Sequence, residues 1–423
     1  MSLIKNLNKK INNKSAVITI VGVGYVGLGL LNEFSKHGYT TYGLDINLKK
    51  LKNSNFNKKV TLTKDYRVIK KTDIIIITLP TPLNDQLNPD LTIIKKSIKT
   101  METYLKKGQL ISFESTTYPG STNELFVTLL SKKFILGKDF FLVYSPERIS
   151  PEFKTKDLKL RYGLTNTPKI ISGFSDNCKL LGQRLYKKII SKIVISPNIK
   201  TAETSKMIEN TFRSVNIALV NELKMFLTKM DIDIHSALKL ADTKPFGFTK
   251  FEPGPGFGGH CIPVDPFYLY WLAKKKKFQL NFIKNSGVVN RKITSWIVNK
   301  LISHLKKKKI KKQKSKVLIL GITYKANIDD TRESPAFKIM EKLKSAGYDT
   351  EFSDPYVKQI KIFGVVKKSK YLNKKTFKEH PVVIIVSDHS KFDYKFIANN
   401  AQDIFDARNS KVQLFRKENY FKV

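Results

Sequence analysis

Val17 to Val21 is a short apolar run, and it leads straight into Gly22-Val23-Gly24-Tyr25-Val26-Gly27. A helix-like stretch follows through Leu30, Leu31 and Phe34 to Lys36 and is closed by His37-Gly38. Thr40 to Leu44 is a second strand-like run with Asp45 at its end. Few folds accept strand, glycine turn, helix, strand and acid in this order. The glycines permit a tight turn and let backbone amides approach a pyrophosphate, while the helix N-terminus supplies positive potential. A carboxylate at Asp45 accepts hydrogen bonds from ribose hydroxyls and repels a 2′-phosphate, which favours NAD over NADP. The competing reading is a glycine turn used only for packing.

The rest of the chain repeats the style. Ile74 to Leu79 is almost wholly apolar, as expected of a strand buried on both faces, and Gln109 to Phe113 and Phe140 to Tyr144 resemble it. Strands alternating with helices predict a parallel, doubly wound α/β sheet. From Thr201 to Lys229 the apolar residues Met207, Ile208, Val215, Leu219, Leu223, Phe226 and Leu227 fall at helical spacing, in one long helix or two joined ones. Helix continues to about Leu305, interrupted by the Gly/Pro-rich loop Glu252 to Pro266, and the Lys-rich stretch Lys306 to Lys316 reads as a linker. Val317 to Leu320 opens a second alternating region, with a helix from Ser334 to Ser345 and strands at Thr350 to Phe352, Val382 to Val386 and Asp403 to Phe405. The order is α/β (1–200), helical (201–305) and α/β (306–423). The Lys- and Asn-rich first fifteen residues read as a ragged tail rather than a signal peptide. No apolar run reaches the length of a membrane span.

With 77 Lys and Arg against 35 Asp and Glu, the formal net charge is +42. Such a charge suggests nucleic acid. The excess is mostly Lys scattered through every segment, however, and neither zinc-finger spacing nor an RNA-binding aromatic signature accompanies it. It reads as a compositional bias on solvated surfaces, with no nucleic-acid partner, and its positive field attracts an anionic substrate. The two cysteines, Cys178 and Cys261, exclude a disulfide framework and suit a reducing cytoplasm. Cys178 lies at a helix start and reads as structural.

Cys261 lies in Gly254-Pro255-Gly256-Phe257-Gly258-Gly259-His260-Cys261-Ile262-Pro263-Val264-Asp265-Pro266. Glycines at this density bring backbone amides close to a reacting atom or phosphate. A helix beginning just after the loop would favour thiolate. Cys261 is therefore a candidate nucleophile, against the ordinary role of a lone cysteine as a small packed residue. Asp265 could face the same site, and His260 reads as structural. Two further loops follow strands, Ser115-Thr116-Thr117-Tyr118-Pro119-Gly120 and Tyr144-Ser145-Pro146-Glu147-Arg148. Glu147 is a general-base candidate there. Helix capping and a surface ion pair are the competing readings. Lys206 and Asn210 share one face of the long helix, either a functional face or a solvated one.

Together these residues resemble the UDP-glucose/GDP-mannose dehydrogenase family, which oxidises nucleotide sugars at C6 with two NAD molecules. The resemblance runs from about Ile18 to Asn409. Val215-Asn216-Ile217-Ala218-Leu219-Val220-Asn221-Glu222-Leu223 and Thr243-Lys244-Pro245-Phe246-Gly247-Phe248 resemble the branch acting on UDP-N-acetylhexosamines, particularly UDP-N-acetylglucosamine 6-dehydrogenases of bacterial surface-polysaccharide synthesis. It implies two Rossmann-like doubly wound domains, one for NAD and one for the UDP-sugar, joined by a central helical domain that forms a homodimer. By position it implies Cys261 as the nucleophile, supported by Thr116, Glu147, Lys206, Asn210 and Asp265. It places Gly22, Gly24, Tyr25, Val26, Gly27, Asp45, Thr81, Thr116 and Arg332 near NAD. It places Glu147, Lys206, Asn210, Phe257, Gly258, Lys325 and Arg408 at the substrate; no metal is implied. Glucose-specific members carry a second glutamate where this chain has Pro151, with Glu152 beside it.

The implied chemistry is a four-electron oxidation. The C6 hydroxyl loses a proton through water held by Asp265 and Lys206. Cys261, whose thiol has an ordinary pKa of about 8.5, captures the aldehyde. Water activated by Glu147 hydrolyses the resulting thioester, with Lys206 and Asn210 steadying the oxyanion. Two other classes remain open at this level: a two-electron dehydrogenase of the hydroxyacid type, which needs no cysteine, and a nucleic-acid-binding protein suggested by charge alone.

Overall fold

The computed structural model describes residues 2–423 apart from 52–55, Asp85, 150–162, His260, 311–315 and Lys417. Pro151, Glu152 and His260 thus lie outside the described residues. The chain divides into two compact units, Met1–Glu209 with Phe267–Lys277, and Asn210–Pro266 with Phe278–Val423.

The first unit is built on an eight-stranded sheet. Its strands are β1 (Val17–Val21), β2 (Thr40–Leu44), β3 (Val60–Thr63), β4 (Ile74–Ile77), β5 (Leu110–Phe113), β6 (Phe141–Tyr144), β7 (Lys169–Gly173) and β8 (Ile193–Ile195). They lie in the order β3-β2-β1-β4-β5-β6-β7-β8. β1 to β6 are parallel; β7 runs antiparallel to β6, with β8 parallel to β7. The four isoleucines of β4 are wholly buried, which explains why the run carries no polar residue. The strand order reverses between β1 and β4, and ligands of such sheets bind beyond the strand C-termini at that reversal. The glycine motif follows β1 and Thr81 follows β4, so the order puts both there.

The N-terminus is not a ragged tail. Leu3–Asn12 is a helix, with Leu7 and Ile11 buried in the same core cluster as Leu181 and Leu185 of helix Asp176–Tyr186. The Ile11 carbonyl accepts the Tyr39 hydroxyl at 2.8 Å. Apolar residues four apart make one helical face, and the lysines that dominate the composition occupy the others.

In the second unit the strands are β9 (Lys316–Leu320), β10 (Asp349–Ser353), β11 (Gln359–Ile362), β12 (Val365–Lys368), β13 (Val382–Ile385), β14 (Asp403–Asp406) and β15 (Tyr420–Lys422). β10-β9-β13-β14-β15 form a parallel sheet, and β11 and β12 an antiparallel ribbon. Helix Asn281–Lys307 buries Ile293, Ile297, Val298, Leu301 and Leu305, which share one helical face, in a core shared with Ile339 and Leu343 of helix Pro335–Ser345. That helix starts where expected: Ser334 caps it and Pro335 takes the first turn.

Ile199–Leu227 is one continuous helix of 29 residues, resolving the choice between one helix and two. Within the expected linker, helix persists to Lys307 and β9 begins at Lys316; 311–315 lie outside the described residues. No helix among the described residues is long and apolar enough to cross a membrane.

Candidate active site

In the first unit, Gly22 has φ +93°, a left-handed conformation that suits glycine, and its N–H donates to the Leu44 carbonyl at 2.9 Å. A Cβ on Gly27 would lie 2.1 Å from the Gly22 carbonyl oxygen, so the helix Tyr25–Lys36 could not pack as it does. A Cβ on Gly24 would meet nothing within 4 Å. Gly27 thus serves packing, while open space lies beside Gly24 at the helix N-terminus. The Asp45 carboxylate accepts the Val23 and Asn47 N–H groups, each at 2.8 Å, one on each oxygen. These contacts fix its orientation beside the glycine turn and leave acceptor capacity on both oxygens. The cradle fits a dinucleotide.

The Thr81 hydroxyl donates to the Thr116 carbonyl at 2.7 Å, and the Thr81 carbonyl accepts Tyr268 Oη–H at 2.7 Å. Glu203, on the long helix, accepts N–H groups from Gly120 and Thr122 at 2.5 and 2.9 Å and hydroxyls from Ser121 and Thr122 at 3.0 and 2.7 Å. It ties the Thr116 loop to the helix that bears Lys206. Lys206 is 8% exposed and Asn210 is 1% exposed, which overturns the solvated-face reading.

Glu147 follows β6. Its Oε1 accepts the Arg148 and Ile149 N–H groups at 2.6 and 2.7 Å. Its Oε2 faces Lys169 Nζ at 3.6 Å, and the same ammonium lies 2.8 Å from Glu114 Oε2. The surface ion pair weighed for this loop belongs to Arg148, which meets Glu209 at 2.7 Å.

In the second unit Cys261 is exposed. Its carbonyl accepts the Asp265 N–H at 2.8 Å, and helix Asp265–Lys275 starts there. The Asp265 side chain is buried and accepts a hydrogen bond from Asn210 Nδ2; Asn210 Oδ1 in turn accepts one from Arg213. The glycine-rich loop is anchored by Gly254 N–H to Asn221 Oδ1 at 2.9 Å and by Thr294 Oγ1 to the Pro255 carbonyl at 2.6 Å. Its glycines have a reason that the sequence did not reveal. Cβ atoms on Gly258 and Gly259 would lie 2.4 and 2.7 Å from the Tyr324 side chain, and one on Gly254 would lie 2.7 Å from Arg408 Nη1. The loop packs flat against Tyr324 and the Arg408 guanidinium. Phe257 is half-buried beside them in sequence.

Lys325 and Arg408 follow β9 and β14, around the strand-order reversal of the second sheet. Arg408 donates to the carbonyls of Val386 at 2.9 Å and Tyr324 at 3.3 Å. Burial, and then Arg408, push the Lys325 ammonium down to about 8. Arg332 is held by Asp330 in a two-point ion pair at 2.6 to 3.1 Å. That pairing first, then Tyr324 and Cys261, keep the guanidinium above its ordinary value against burial.

The two sheets repeat one turn. Gly321 N–H donates to the Ser353 carbonyl at 2.9 Å and Ile322 N–H to Asp354 Oδ2 at 2.8 Å, as Gly22 does to Leu44 and Val23 to Asp45. The second carboxylate is filled differently: Asp354 also meets His389 Nε2 at 3.0 Å and accepts two backbone N–H groups.

The chain matches three domain models of the UDP-glucose/GDP-mannose dehydrogenase family: its NAD binding domain over residues 48–190, its central domain over 200–292 and its UDP binding domain over 318–412. The chain belongs to that family. The UDP-N-acetyl-D-glucosamine 6-dehydrogenase of Salmonella typhi is 34% identical, over 89% of this chain and 90% of that protein. The UDP-N-acetyl-D-mannosamine dehydrogenase of Methanocaldococcus jannaschii is 30% identical over 95% of each. The solved structure of the UDP-D-ManNAc dehydrogenase from Pyrococcus horikoshii matches with a TM-score of 0.82 at 28% identity, covering 95% of this chain and 96% of that one.

As a member of this dehydrogenase family the chain is an NAD-dependent oxidoreductase with Rossmann-like, mostly parallel sheets, as the glycine motif predicted. Four structural partners escaped the sequence reading: Glu114, Lys169, Glu203 and His389. Glu203 alone had a local signal, lying one helical turn before Lys206.

Proposed function

We propose that the protein oxidises C6 of a UDP-N-acetylhexosamine to the carboxylate, with UDP-N-acetylglucosamine as the substrate. The observation that carries this reading is an exposed Cys261, in the turn just before a helix, on a loop packed against Tyr324 and Arg408. A two-electron dehydrogenase has no use for such a thiol. The 34% identical relative from Salmonella typhi supports glucosamine. The relative from M. jannaschii and the P. horikoshii structure favour N-acetylmannosamine as the second reading.

Gly22, Gly24, Tyr25, Val26, Gly27 and Asp45 hold NAD, with Thr81, Thr116 and Arg332 near it; when bound, it accepts a hydride in each of the two oxidations. Asp265, fixed by Asn210, and Lys206 hold the water that takes the C6 hydroxyl proton. The Cys261 thiolate adds to the aldehyde carbon, giving a thiohemiacetal and, after the second oxidation, a thioester. Glu147 takes a proton from water as it attacks the thioester carbon; the C–S bond breaks, and Cys261 leaves as the thiolate. Lys206 and Asn210 stabilise the oxyanion. Lys325 and Arg408 bind the diphosphate or uracil, with Phe257 and Gly258 beside the sugar.

The same reading assigns residues 1–200 to NAD, 201–305 to a central helical domain and 306–423 to the UDP-sugar. It makes the protein a cytoplasmic homodimer serving surface-polysaccharide synthesis. Phe212, Leu219, Leu223 and Phe226 support the dimer, because they are exposed along one face of the long helix. The deciding experiment measures NADH formed from UDP-N-acetylglucosamine, UDP-N-acetylgalactosamine, UDP-N-acetylmannosamine and UDP-glucose side by side. The reading expects the highest kcat/KM with UDP-N-acetylglucosamine and two NADH per sugar. One NADH per sugar would return the chain to two-electron chemistry.

A further inference from the structure

Lys169 lies where a charge is hardest to keep. It opens β7, its side chain is 4% exposed, and it has no place in the dinucleotide cradle. Its ammonium lies between two carboxylates, Glu114 Oε2 at 2.8 Å and Glu147 Oε2 at 3.6 Å. Glu114 is wholly buried and held from its other oxygen by the Tyr186 hydroxyl, which also meets Ser112 Oγ at 2.7 Å. The Tyr186 ring packs 4.9 Å from the ammonium. The anchor is thus built from β5, β7 and helix Asp176–Tyr186 and leaves Lys169 one orientation.

An ion pair between Lys169 and Glu114 alone would be weak evidence for anything but packing, since burying it costs about what it returns. The second carboxylate gives the ammonium a further partner. Glu147 Oε1 is saturated by two backbone N–H groups, so a proton taken from water must go to Oε2. Among the described residues, Lys169 is the cation facing that oxygen. Burial alone would push the Lys169 ammonium down, but Glu114 and Glu147 outweigh it and hold it above its ordinary value. Glu147 and Lys169, with Arg148, Ile149, Thr167 and Pro168, also line a recess of about 10 Å³, room for about one water molecule.

We infer that Lys169 is a positioning residue for the last chemical step: anchored by Glu114, its ammonium holds the Glu147 carboxylate in the orientation from which Oε2 takes the proton of the water that cleaves the thioester. The inference rests on the reading of Glu147 as that base. It assigns Lys169 no contact with the sugar or with the cofactor.

The test is selective for one step. Lys169→Met removes the charge, and Lys169→Met/Glu114→Gln also removes the carboxylate that would otherwise be stranded, which protects folding. Each variant is mixed with UDP-N-acetylglucosamine and NAD. NADH is followed through the first turnover and the steady state, and intact-protein mass spectrometry looks for an acyl adduct. Misplacing a catalytic group by about an ångström costs on the order of 100-fold. Both variants should keep a first-turnover burst of two NADH per chain, accumulate the adduct and lose about 10- to 100-fold in steady-state rate with KM little changed. Lys169→Arg should recover part of the rate. Glu147→Gln serves as the reference. If Glu147→Gln accumulates adduct and the double variant does not, Lys169 has no part in the step and the inference fails alone. If Glu147→Gln accumulates none, the reading of Glu147 fails, and the inference with it.

Discussion

The backbone N–H of Asp265 donates to the carbonyl of Cys261 at 2.8 Å, so the candidate nucleophile lies in the turn that leads into helix Asp265–Lys275. A thiol at a helix N-terminus is biased toward thiolate. Cys178 is its opposite: wholly buried, with its Sγ accepting the Leu142 N–H at 3.4 Å. Iodoacetamide should therefore alkylate one thiol per folded chain, at Cys261, with loss of activity tracking the modification. Two thiols should react after denaturation. Equal labelling of both in the folded protein would remove the distinction.

Asp45 should select the cofactor. Its carboxylate is oriented by Val23 and Asn47 beside the glycine turn, where a 2′-phosphate would be repelled. Asp45→Ala should raise the KM for NAD about tenfold or more, as expected for losing a hydrogen bond to a charged group, and narrow the preference over NADP. Wild-type enzyme using both cofactors equally well would refute the assignment.

Lys325 should make substrate capture pH-dependent. Its value of about 8 means that the ammonium is charged below that pH and neutral above it. Attraction for a diphosphate is thus present below about pH 8 and lost as pH rises through it. kcat/KM for the sugar nucleotide should fall across that range in the wild type. Lys325→Ala should lack the fall and lie about 10- to 100-fold lower at pH 7, the worth of a charge-assisted hydrogen bond. Arg408→Ala should likewise raise the KM for the sugar nucleotide more than that for NAD. An unchanged pH profile in Lys325→Ala would move Lys325 out of the substrate site.

Glu203 should matter to stability before it matters to chemistry. Glu203→Ala leaves two N–H groups and two hydroxyls without their buried acceptor. A loss of about 3 kcal/mol or more is expected, read as a lower urea midpoint with unchanged slope. A shift under about 0.5 kcal/mol, the scale of ordinary surface substitutions, would show that water replaces the carboxylate.

What the sequence made legible was local. The strand–glycine–helix–strand–acid unit fits within residues 17–45, and Ile74 to Ile77 announce a buried strand by composition alone. The partners it hid are distant in the chain: Glu203 lies 83 residues from Gly120, and Lys169 lies 55 from Glu114. No periodicity links such pairs. The N-terminal helix was hidden differently, because lysines and asparagines dominate its composition and only Leu7 and Ile11 are buried. The repeated turn at Gly22 and Gly321 was hidden because its closing aspartate lies at different distances along the chain, 22 residues from Val23 in one sheet and 32 from Ile322 in the other.

The central claim is covalent catalysis by Cys261, and one measurement bears on it most directly. Cys261→Ser is incubated with UDP-N-acetylglucosamine and NAD, and the uronic acid is quantified by mass spectrometry. A serine alkoxide is far harder to form than a thiolate, so carboxylate formation should be abolished while the sugar nucleotide still binds. Carboxylate formed at near the wild-type rate would contradict the covalent mechanism and return Cys261 to the role of a residue in a packed loop.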